Sequence, residues 1–379
     1  MQTAMQVRLV IALHISLVQK TAAFVRAPSS KLRQLSHRRR FSSSLHITAT
    51  MSSAAQEAEG TWIVGGGLGG LASAAALHSI ANVSSIKVLE AASKDSFSSD
   101  KAGAAVQLTP NGLRALKAIG GDELLNSICE AGTKLTGSTF IGPDGNIGGA
   151  FVTPSTVEED TGLPVIMVRW GVLRSLLHDA LPKNCVEVGT GNDIVGYSLR
   201  DEGELGSAKV LPVDKNGDDV MPSNCSKPPP LLLGADGLNS VFKRCVHADT
   251  QDGASIDRYS HLKDGGRVNI KAVIPVDLGP EFTPETTYSY FSPCFSTACF
   301  CGPAGKGFTY WAISIGDDGD GNQFIQSSEQ NDTQTAKKRL LAKLTDVLPD
   351  GCQFFIDLIK QTEDETILVR RSEETCIEN

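Results

Sequence analysis

The stretch WIVGGGLGGLASAAAL, residues 62–77, decides the fold. The apolar run before Gly65 predicts a strand, and the small residues after Gly70 predict a helix that ends near Asn82. The glycines between them follow the spacing Gly65-x-Gly67-x-x-Gly70. The first allows a tight turn, the second lets a pyrophosphate approach the backbone, and the third lets helix and strand pack closely. The stretch therefore predicts the opening of a dinucleotide-binding βαβ unit.

A second strand, SIKVLEAA at residues 85–92, supports this interpretation because it ends close to an acid, Glu90. Glu90 follows the first glycine of the fingerprint, Gly65, at a distance where a carboxylate accepts hydrogen bonds from ribose hydroxyls. An acid at this place disfavours a 2′-phosphate, so NADP is not expected in this pocket. FAD and NAD both remain open.

A second motif, LLLGADGLNSVFKR at residues 231–244, places an acid at the end of an apolar run. The three leucines predict a buried inner strand, and Gly234, Asp236 and Gly237 follow at its carboxyl end. Ligands of open α/β sheets bind at this edge, where glycines admit the backbone and a carboxylate orients by hydrogen bonds. Alternatively, Asp236 caps a helix that begins near Asn239, and both roles are compatible.

Two further segments extend the first layer. TPNGLRALKAIGG, residues 109–121, predicts a helix capped by Thr109 or Asn111 and ended by the glycine pair at 120–121. VIMVRWGVLRSLLHDALP, residues 165–182, predicts a strand that runs into a helix. After about residue 256 the pattern changes to strand-like runs with a hairpin turn at Pro303 to Gly307, which predicts a second, mostly antiparallel layer. Cys299 and Cys301 alternate in one of these runs and are expected to share a face.

Four landmarks in order carry a family resemblance: the glycine fingerprint with Glu90, GAAVQLTPNGLRALKAIG at 103–120, Arg169 in VRWGVLRSLL, and the Asp-Gly motif at 231–244. Together they resemble the flavoprotein monooxygenases related to para-hydroxybenzoate hydroxylase, which include salicylate hydroxylase and zeaxanthin epoxidase types. The resemblance covers residues 61–245. It implies an α/β fold in which a Rossmann-like FAD-binding domain is joined to a mostly antiparallel substrate domain.

The resemblance also implies FAD as cofactor and NAD(P)H as electron donor. The residues it assigns to FAD binding are Gly65, Gly67, Gly70, Glu90, Arg169, Asp236 and Gly237. Arg169 is expected to meet FAD phosphate or ribityl oxygens, because a guanidinium suits oxyanions, with a surface ion pair as the alternative. The chemistry belongs mainly to such a cofactor, so no catalytic residue is assigned.

The chain departs from the family pattern at three places. Asp100 and Lys101 stand near a position where the family often has arginine, and Lys243 occupies the usual arginine position after Ser240. The family's second FAD segment, Gly-Asp-Ala-(Ala/Ser)-His, is not found after the substrate region. The sequence therefore predicts a chain truncated before that segment, with FAD binding weakened by a missing wall.

The function expected from the resemblance is hydroxylation or epoxidation of an aromatic or isoprenoid substrate with O₂. An inactive member of the family, or a plastid flavoprotein of the reductase or cyclase type, remains an alternative. Aromatic residues of the second layer are candidate pocket walls, although core packing is the more common role for each of them: Tyr288, Tyr290, Phe291, Phe300, Tyr310 and Trp311.

Charge is divided unevenly along the chain. Residues 1–56 hold eight of the 35 Lys and Arg and none of the 43 Asp and Glu, which leaves an acidic body ill suited to nucleic acid.

An apolar run in residues 1–23 predicts a signal peptide, and the Arg- and Ser-rich composition of residues 24–56 resembles that of a plastid transit peptide. A secreted protein is the alternative. We expect an FAD-binding domain at 57–255, with a flexible insertion near 200–229, and a substrate domain at 256–379, with no segment that spans a membrane.

Overall fold

The computed structural model describes residues 60–99, 104–148, 153–190, 194–201, 208–223, 225, 229, 231–238, 240–243, 245, 262–280, 282–316 and 333–375. These residues belong to one compact unit, Glu59–Asn379. The predicted targeting segments, Asp100 and Lys101 lie outside the described residues. The division of the body near residue 255 stays a prediction.

The described strands are β1 (Thr61–Val64), β2 (Ile86–Glu90), β3 (Ala105–Leu108), β4 (Thr133–Leu135), β5 (Gly137–Ile141), β6 (Ile147–Gly148), β7 (Val165–Arg169), β8 (Val186–Val188), β9 (Gly196–Asp201), β10 (Ala208–Val213), β11 (Leu231–Gly234), β12 (Leu262–Ile274), β13 (Thr286–Phe291), β14 (Thr297–Pro303), β15 (Thr309–Gly316) and β16 (Leu368–Thr375). The described α-helices are α1 (Leu68–Ser79), α2 (Lys94–Ser98), α3 (Pro110–Ala131), α4 (Pro154–Thr161), α5 (Trp170–Asp179), α6 (Thr333–Val347) and α7 (Gln353–Gln361).

A parallel sheet in the order β11-β1-β2-β8 forms the first layer. Strands β1 and β2 with helix α1 between them make the predicted βαβ unit. Strand β11 pairs with β1 along its whole length, with Leu231 opposite Thr61 and Gly234 opposite Val64. Among the described strands, β11 lies at the end of this sheet and its leucines are only half-buried, so its prediction as an inner strand is not confirmed.

Helix α3 consists of two helical segments joined at a kink. The first begins after Thr109 and ends at the glycine pair, as the sequence predicts. Gly121 has φ +69° and ψ −168°, a non-helical backbone conformation that glycine adopts without a steric penalty. A second segment, which the sequence does not predict, continues to Ala131, and Leu125 and Ile128 bury its apolar face.

The second layer is a sheet in the order β16-β12-β15-β14-β13-β5-β6. All neighbours are antiparallel except β13 and β5. The predicted hairpin joins β14 to β15, with the Ala304 amide donating to the Phe308 carbonyl at 2.7 Å. Two of its strands, β5 and β6, come from residues 137–148, well before the predicted boundary at 255.

One face of this sheet is packed under helices α6 and α7. Side chains at alternate positions, such as Ile270 on β12, Cys299 and Cys301 on β14 and Trp311 on β15, form a core with Phe355 of α7. The shared face predicted for the two cysteines is therefore confirmed. The opposite side of this sheet carries Lys271, Phe300 and Tyr310, and the last two pack with residues of β4 and β7 such as Leu135 and Met167. We call this side, which lies away from α6 and α7, the open face.

The rest of the described strands form a three-stranded antiparallel sheet in the order β3-β7-β4 and a hairpin of β9 and β10. The hairpin occupies part of the segment predicted to be a flexible insertion, whose residues 202–207 lie outside the described part of the chain. Among the described residues, no helix combines the length and the apolar character that a membrane crossing requires.

Candidate functional site

The two predicted motifs meet at the carboxyl edge of the parallel sheet. A Cβ on Gly65 would overlap the carbonyl oxygen of Ala235 and would lie 3.0 Å from the Cα of Asp236. A Cβ on Gly70 would overlap the carbonyl oxygen of Gly65. The Ala235 amide donates to the Val64 carbonyl at 2.7 Å, which ties the segment after β11 to the end of β1. The glycine turn, the start of α1 and the Asp-Gly segment thus lie in backbone contact, and only glycine fits at positions 65 and 70.

Gly67 differs from its neighbours in the same turn. A Cβ at this position would meet no atom of the described residues within 4 Å, and its backbone is extended, with φ −72° and ψ −179°. It precedes α1, whose first turn holds no acid and whose N-cap makes no side-chain hydrogen bond. The first amides of a helix have no partner within the helix and attract anions. Space, donors and positive potential therefore fit the diphosphate of a dinucleotide such as FAD.

The Glu90 carboxylate holds this turn in place. Its Oε2 accepts a hydrogen bond from the Gly66 amide at 2.5 Å, and its Oε1 accepts one from the Ala92 amide at 2.7 Å. A carboxylate has about four acceptor positions, so two remain for ribose hydroxyls. The structure thus adds a scaffolding role, and ribose binding by Glu90 stays a prediction.

Asp236 and Ser240 together cap the helix that begins at Val241. The Ser240 hydroxyl accepts a hydrogen bond from the Lys243 amide at 3.0 Å and donates one to Asp236 Oδ1 at 2.6 Å, and Asp236 Oδ2 accepts one from the Val241 amide at 2.6 Å. The capping alternative that the sequence offered is therefore present, beginning near the expected residue. Gly237 is exposed, and a Cβ there would meet no described atom within 4 Å. Flavin contacts by Asp236 and Gly237 stay predictions.

Arg169 ends β7 and lies between the parallel layer and the open face. Its backbone pairs with Ala105 of β3, and its guanidinium stacks on the ring of Phe308 at 3.9 Å. Phe308 packs in turn with Phe300 and Tyr310 of the open face. Cation–π stacking fixes the plane of the guanidinium. Contact between Arg169 and FAD stays a prediction.

Arg174 is a buried arginine within the electrostatic influence of Glu90 that the sequence analysis missed. It is 7% exposed, it stacks against Phe97 and Trp170, and its Nη2 donates to the Phe97 carbonyl and to the Ser96 carbonyl at 3.2 Å. Burial lowers its pKa from the usual value, and the charge of Glu90 opposes that shift. The signal was available, because an arginine on the apolar side of a helix requires buried acceptors.

The aromatic residues proposed as pocket walls divide between the two faces of the second layer. Tyr288, Tyr290 and Trp311 belong to the helix-covered core and cannot line a pocket on the open face. Phe300 and Tyr310 lie on the open face, with ring centroids 5.9 Å apart, and Phe291 stacks on Phe140 at 6.1 Å. Strand alternation explains the division, since residues two apart share a face.

A cleft of about 240 Å³ lies at the opposite, amino edge of the parallel sheet, between residues 84–87 and 182–185. It is lined by the starts of strands and the ends of helices, where the helix dipole disfavours phosphate. For this reason we assign the dinucleotide to the carboxyl edge, on the chemistry of its donors, and not to this cleft.

Several solved structures, two of them complexes with FAD, share the fold. HpxO of Klebsiella pneumoniae, crystallised with FAD and uric acid, superposes with a TM-score of 0.60 at 17% identity, over 84% of this chain and 69% of its own. CtdE, in complex with FAD and a substrate, gives a TM-score of 0.57 at 10% identity over 83% and 69% of the two chains. A variant of 2-methyl-3-hydroxypyridine-5-carboxylic acid oxygenase gives 0.52 at 16% identity over 84% and 71%.

No profile of a known protein family matches the chain, and no curated protein matches it either. The structural matches confirm the predicted fold class, in which a Rossmann-like layer is combined with a mostly antiparallel sheet. The four landmarks in the sequence therefore identified the fold of this chain correctly.

Proposed function

We propose that the chain is an FAD-dependent monooxygenase that uses NAD(P)H and O₂ to hydroxylate or epoxidise an aromatic or isoprenoid substrate. The observation that carries the proposal is the convergence of residues 65–70 with residues 234–237 at one sheet edge, with open space beyond Gly67. The solved structures with this fold add support, because HpxO and CtdE were crystallised with FAD.

The residues of this chain bind and position the reactants. The amides at the start of α1 bind the diphosphate, Glu90 accepts hydrogen bonds from the ribose, and the cap at Asp236 holds its glycine-flanked segment beside the fingerprint turn. FAD, when bound, supplies the electron transfer and the oxygen activation. The open face orients the substrate, and the apolar cluster around Phe308 excludes water from the end of that face nearest to Phe308.

FAD binding is the first test. Titration of FAD into the purified protein should quench flavin fluorescence with a saturable curve. Gly67→Asp should weaken binding at least tenfold, because it places a carboxylate where the diphosphate is expected. Ser84→Asp adds the same charge at the opposite edge of the sheet and should leave FAD affinity unchanged. Equal affinity in both variants would contradict the assignment of the site.

Turnover is the second test. Oxidation of NADH or NADPH, followed at 340 nm with an oxygen electrode in parallel, should be stimulated by an aromatic or isoprenoid substrate. Oxidation without oxygen uptake would favour the reductase or cyclase alternative, and a protein that never binds FAD would favour the inactive one. We also propose plastid import through residues 1–56, which a fluorescent-protein fusion would test.

A further inference from the structure

Helix α2 follows β2 and is a single helical turn, Lys94–Ser98. A helix this short is not stable by itself in water. Its N-terminus is capped by the Ser93 hydroxyl, which accepts a hydrogen bond from the Ser96 amide at 3.3 Å. The carbonyl groups at its other end have no partner within the helix, so another part of the chain has to supply donors for them.

Arg174 of α5 supplies those donors. Its Nη2 donates to the carbonyl oxygens of Ser96 at 3.2 Å, of Phe97, and of Ser99 at 3.3 Å. A guanidinium is planar and its donors point in fixed directions, so these bonds place the end of α2 in one position relative to α5. Helix α5 is itself held in the first layer, because Leu173, the neighbour of Arg174, is buried in that core.

Phe97 connects Arg174 to the glycine turn. Its ring is buried, and the Cζ atom of Arg174 lies 4.7 Å from the ring centroid. The same ring reaches Gly66, where an added Cβ would lie 3.1 Å from Phe97 Cε2 and 2.8 Å from Glu90 Oε2. Gly66, which stands between the first two glycines of the fingerprint, is thus in close contact with an aromatic ring and with the carboxylate that accepts its amide hydrogen bond.

Electrostatic attraction links Arg174 to the same turn by a second route. Burial lowers the pKa of Arg174, and the charge of Glu90 opposes that shift. The two oxygens of this carboxylate accept hydrogen bonds from the Gly66 amide at 2.5 Å and from the Ala92 amide at 2.7 Å. The contact through Phe97 and the attraction to Glu90 therefore act on one segment of backbone.

We propose that Arg174 is a positioning residue of the dinucleotide site, which holds α2 so that Phe97 stays against Gly66 and the diphosphate-binding turn keeps its shape. The inference rests on the proposed function, since FAD is the ligand of that turn. Lysine cannot take this role, because an ammonium group has neither the planar fork of a guanidinium nor its ability to stack on a ring.

An FAD titration of four proteins tests the proposal: wild type, Arg174→Lys, Phe97→Leu and the double variant. We expect each single variant to weaken FAD binding about tenfold and the double variant to weaken it no further, because residues that act through one contact are not additive. Arg114→Lys, which changes an exposed arginine on α3, is the matched control and should leave FAD affinity unchanged. Losses that multiply in the double variant would overturn the proposal.

Amide hydrogen exchange of the protein without FAD distinguishes positioning from a general loss of stability. Peptides that cover residues 62–71 should exchange faster in both single variants, because the Gly66 amide is then held less firmly by Glu90. Peptides that cover β14 and β15 should exchange at the wild-type rate. Faster exchange in all peptides would mean that Arg174 only stabilises the whole fold, and the proposal would be wrong. Thermal melting establishes that each variant is folded.

The two measurements separate this inference from the proposed function. Equal FAD affinity in the wild type and both single variants upholds the FAD site and contradicts the positioning role of Arg174. A wild-type protein that does not bind FAD contradicts the proposed function, and faster exchange confined to residues 62–71 then still upholds the role of Arg174 in fixing the turn. Unchanged exchange in the variants contradicts that role whether or not FAD binds.

Discussion

The carboxyl edge of the parallel sheet and the open face of the second sheet form their candidate sites by different means. At the carboxyl edge, backbone touches backbone, since Gly65 and Gly70 leave room only for the carbonyl oxygens beside them. On the open face, strands keep ordinary spacing, and side chains such as Lys271 and Phe300 give the surface its chemistry.

This difference decides how each site responds to substitution. A site made of backbone tolerates almost no added atom, because the chain on both sides must move. A site made of side chains on a regular sheet tolerates substitution in its scaffold while its specificity changes. We therefore expect large losses of stability at the first site and small ones at the second.

Gly70→Ala has the largest expected effect. The added methyl group would overlap the Gly65 carbonyl oxygen and come within 3.4 Å of the Ala235 Cβ, so β1, α1 and the segment after β11 would all have to separate. We expect a loss of more than about 4 kcal/mol in the free energy of unfolding, or no folded protein. Urea denaturation followed by tryptophan fluorescence measures the loss.

Gly67→Ala is the matched control from the same turn. Its methyl group would enter open space, and its backbone suits any residue. Stability should stay within about 1 kcal/mol of the wild type, while FAD affinity falls because the methyl occupies the place of the diphosphate. Similar destabilisation by both variants would show that the whole turn is a packing feature, and the comparison would fail.

Arg174→Met has the next largest expected effect. It would leave the Phe97 and Ser96 carbonyls without their donor in a buried place. We expect a loss of about 2–4 kcal/mol, measured by urea denaturation. Arg114→Met removes an exposed arginine that also donates to a carbonyl, that of Thr161 at 3.2 Å, and should cost less than about 0.5 kcal/mol. Equal losses would contradict a structural role specific to Arg174.

The backbone site could be predicted from the sequence because its constraints are local. The spacing of Gly65, Gly67 and Gly70 specifies a turn, and a carboxylate at the end of the next strand accompanies it. The contact with Ala235 is not local, and only the family resemblance predicted it. The second segment of α3, after the kink at Gly121, was not predicted for a related reason, because its apolar face is buried at Ile128 in a core formed by distant parts of the chain.

The open face could not be predicted to the same extent. Period-two alternation gives the two faces of each strand separately. That Phe300 of β14 and Trp311 of β15 lie on opposite faces of the sheet follows only when the register of the two strands is known. The order of the strands in this sheet could not be predicted from the sequence either, because β16, at the end of the described chain, pairs with β12 about 100 residues before it.

Asp236→Ala tests whether the Asp-Gly segment acts through its cap or through a ligand. Loss of the bonds to Val241 and Ser240 should cost about 1–2 kcal/mol, because the first turn of the helix loses one of its two side-chain acceptors. Asp236→Asn keeps one acceptor oxygen and should recover part of that loss. Ser240→Ala preserves the bond to the Val241 amide but removes the hydroxyl that accepts from the Lys243 amide at 3.0 Å, so it should cost about 1 kcal/mol. Thermal melting with and without FAD separates the two roles, since a ligand role predicts a deficit that is larger with FAD.

Tyr310→Phe has the smallest expected effect, and it appears only at alkaline pH. Burial raises the pKa of Tyr310 to about 12, whereas tyrosine in an unfolded chain has a pKa of about 10. The unfolded chain thus loses this proton first, so the stability that the neutral phenol provides is complete below pH ~10 and declines as the pH rises toward 12. Urea denaturation at pH 9, 10 and 11 should show wild-type stability falling faster than that of the variant. Parallel curves would mean that water reaches the hydroxyl, and then the cluster around Phe308 does not exclude water from the open face.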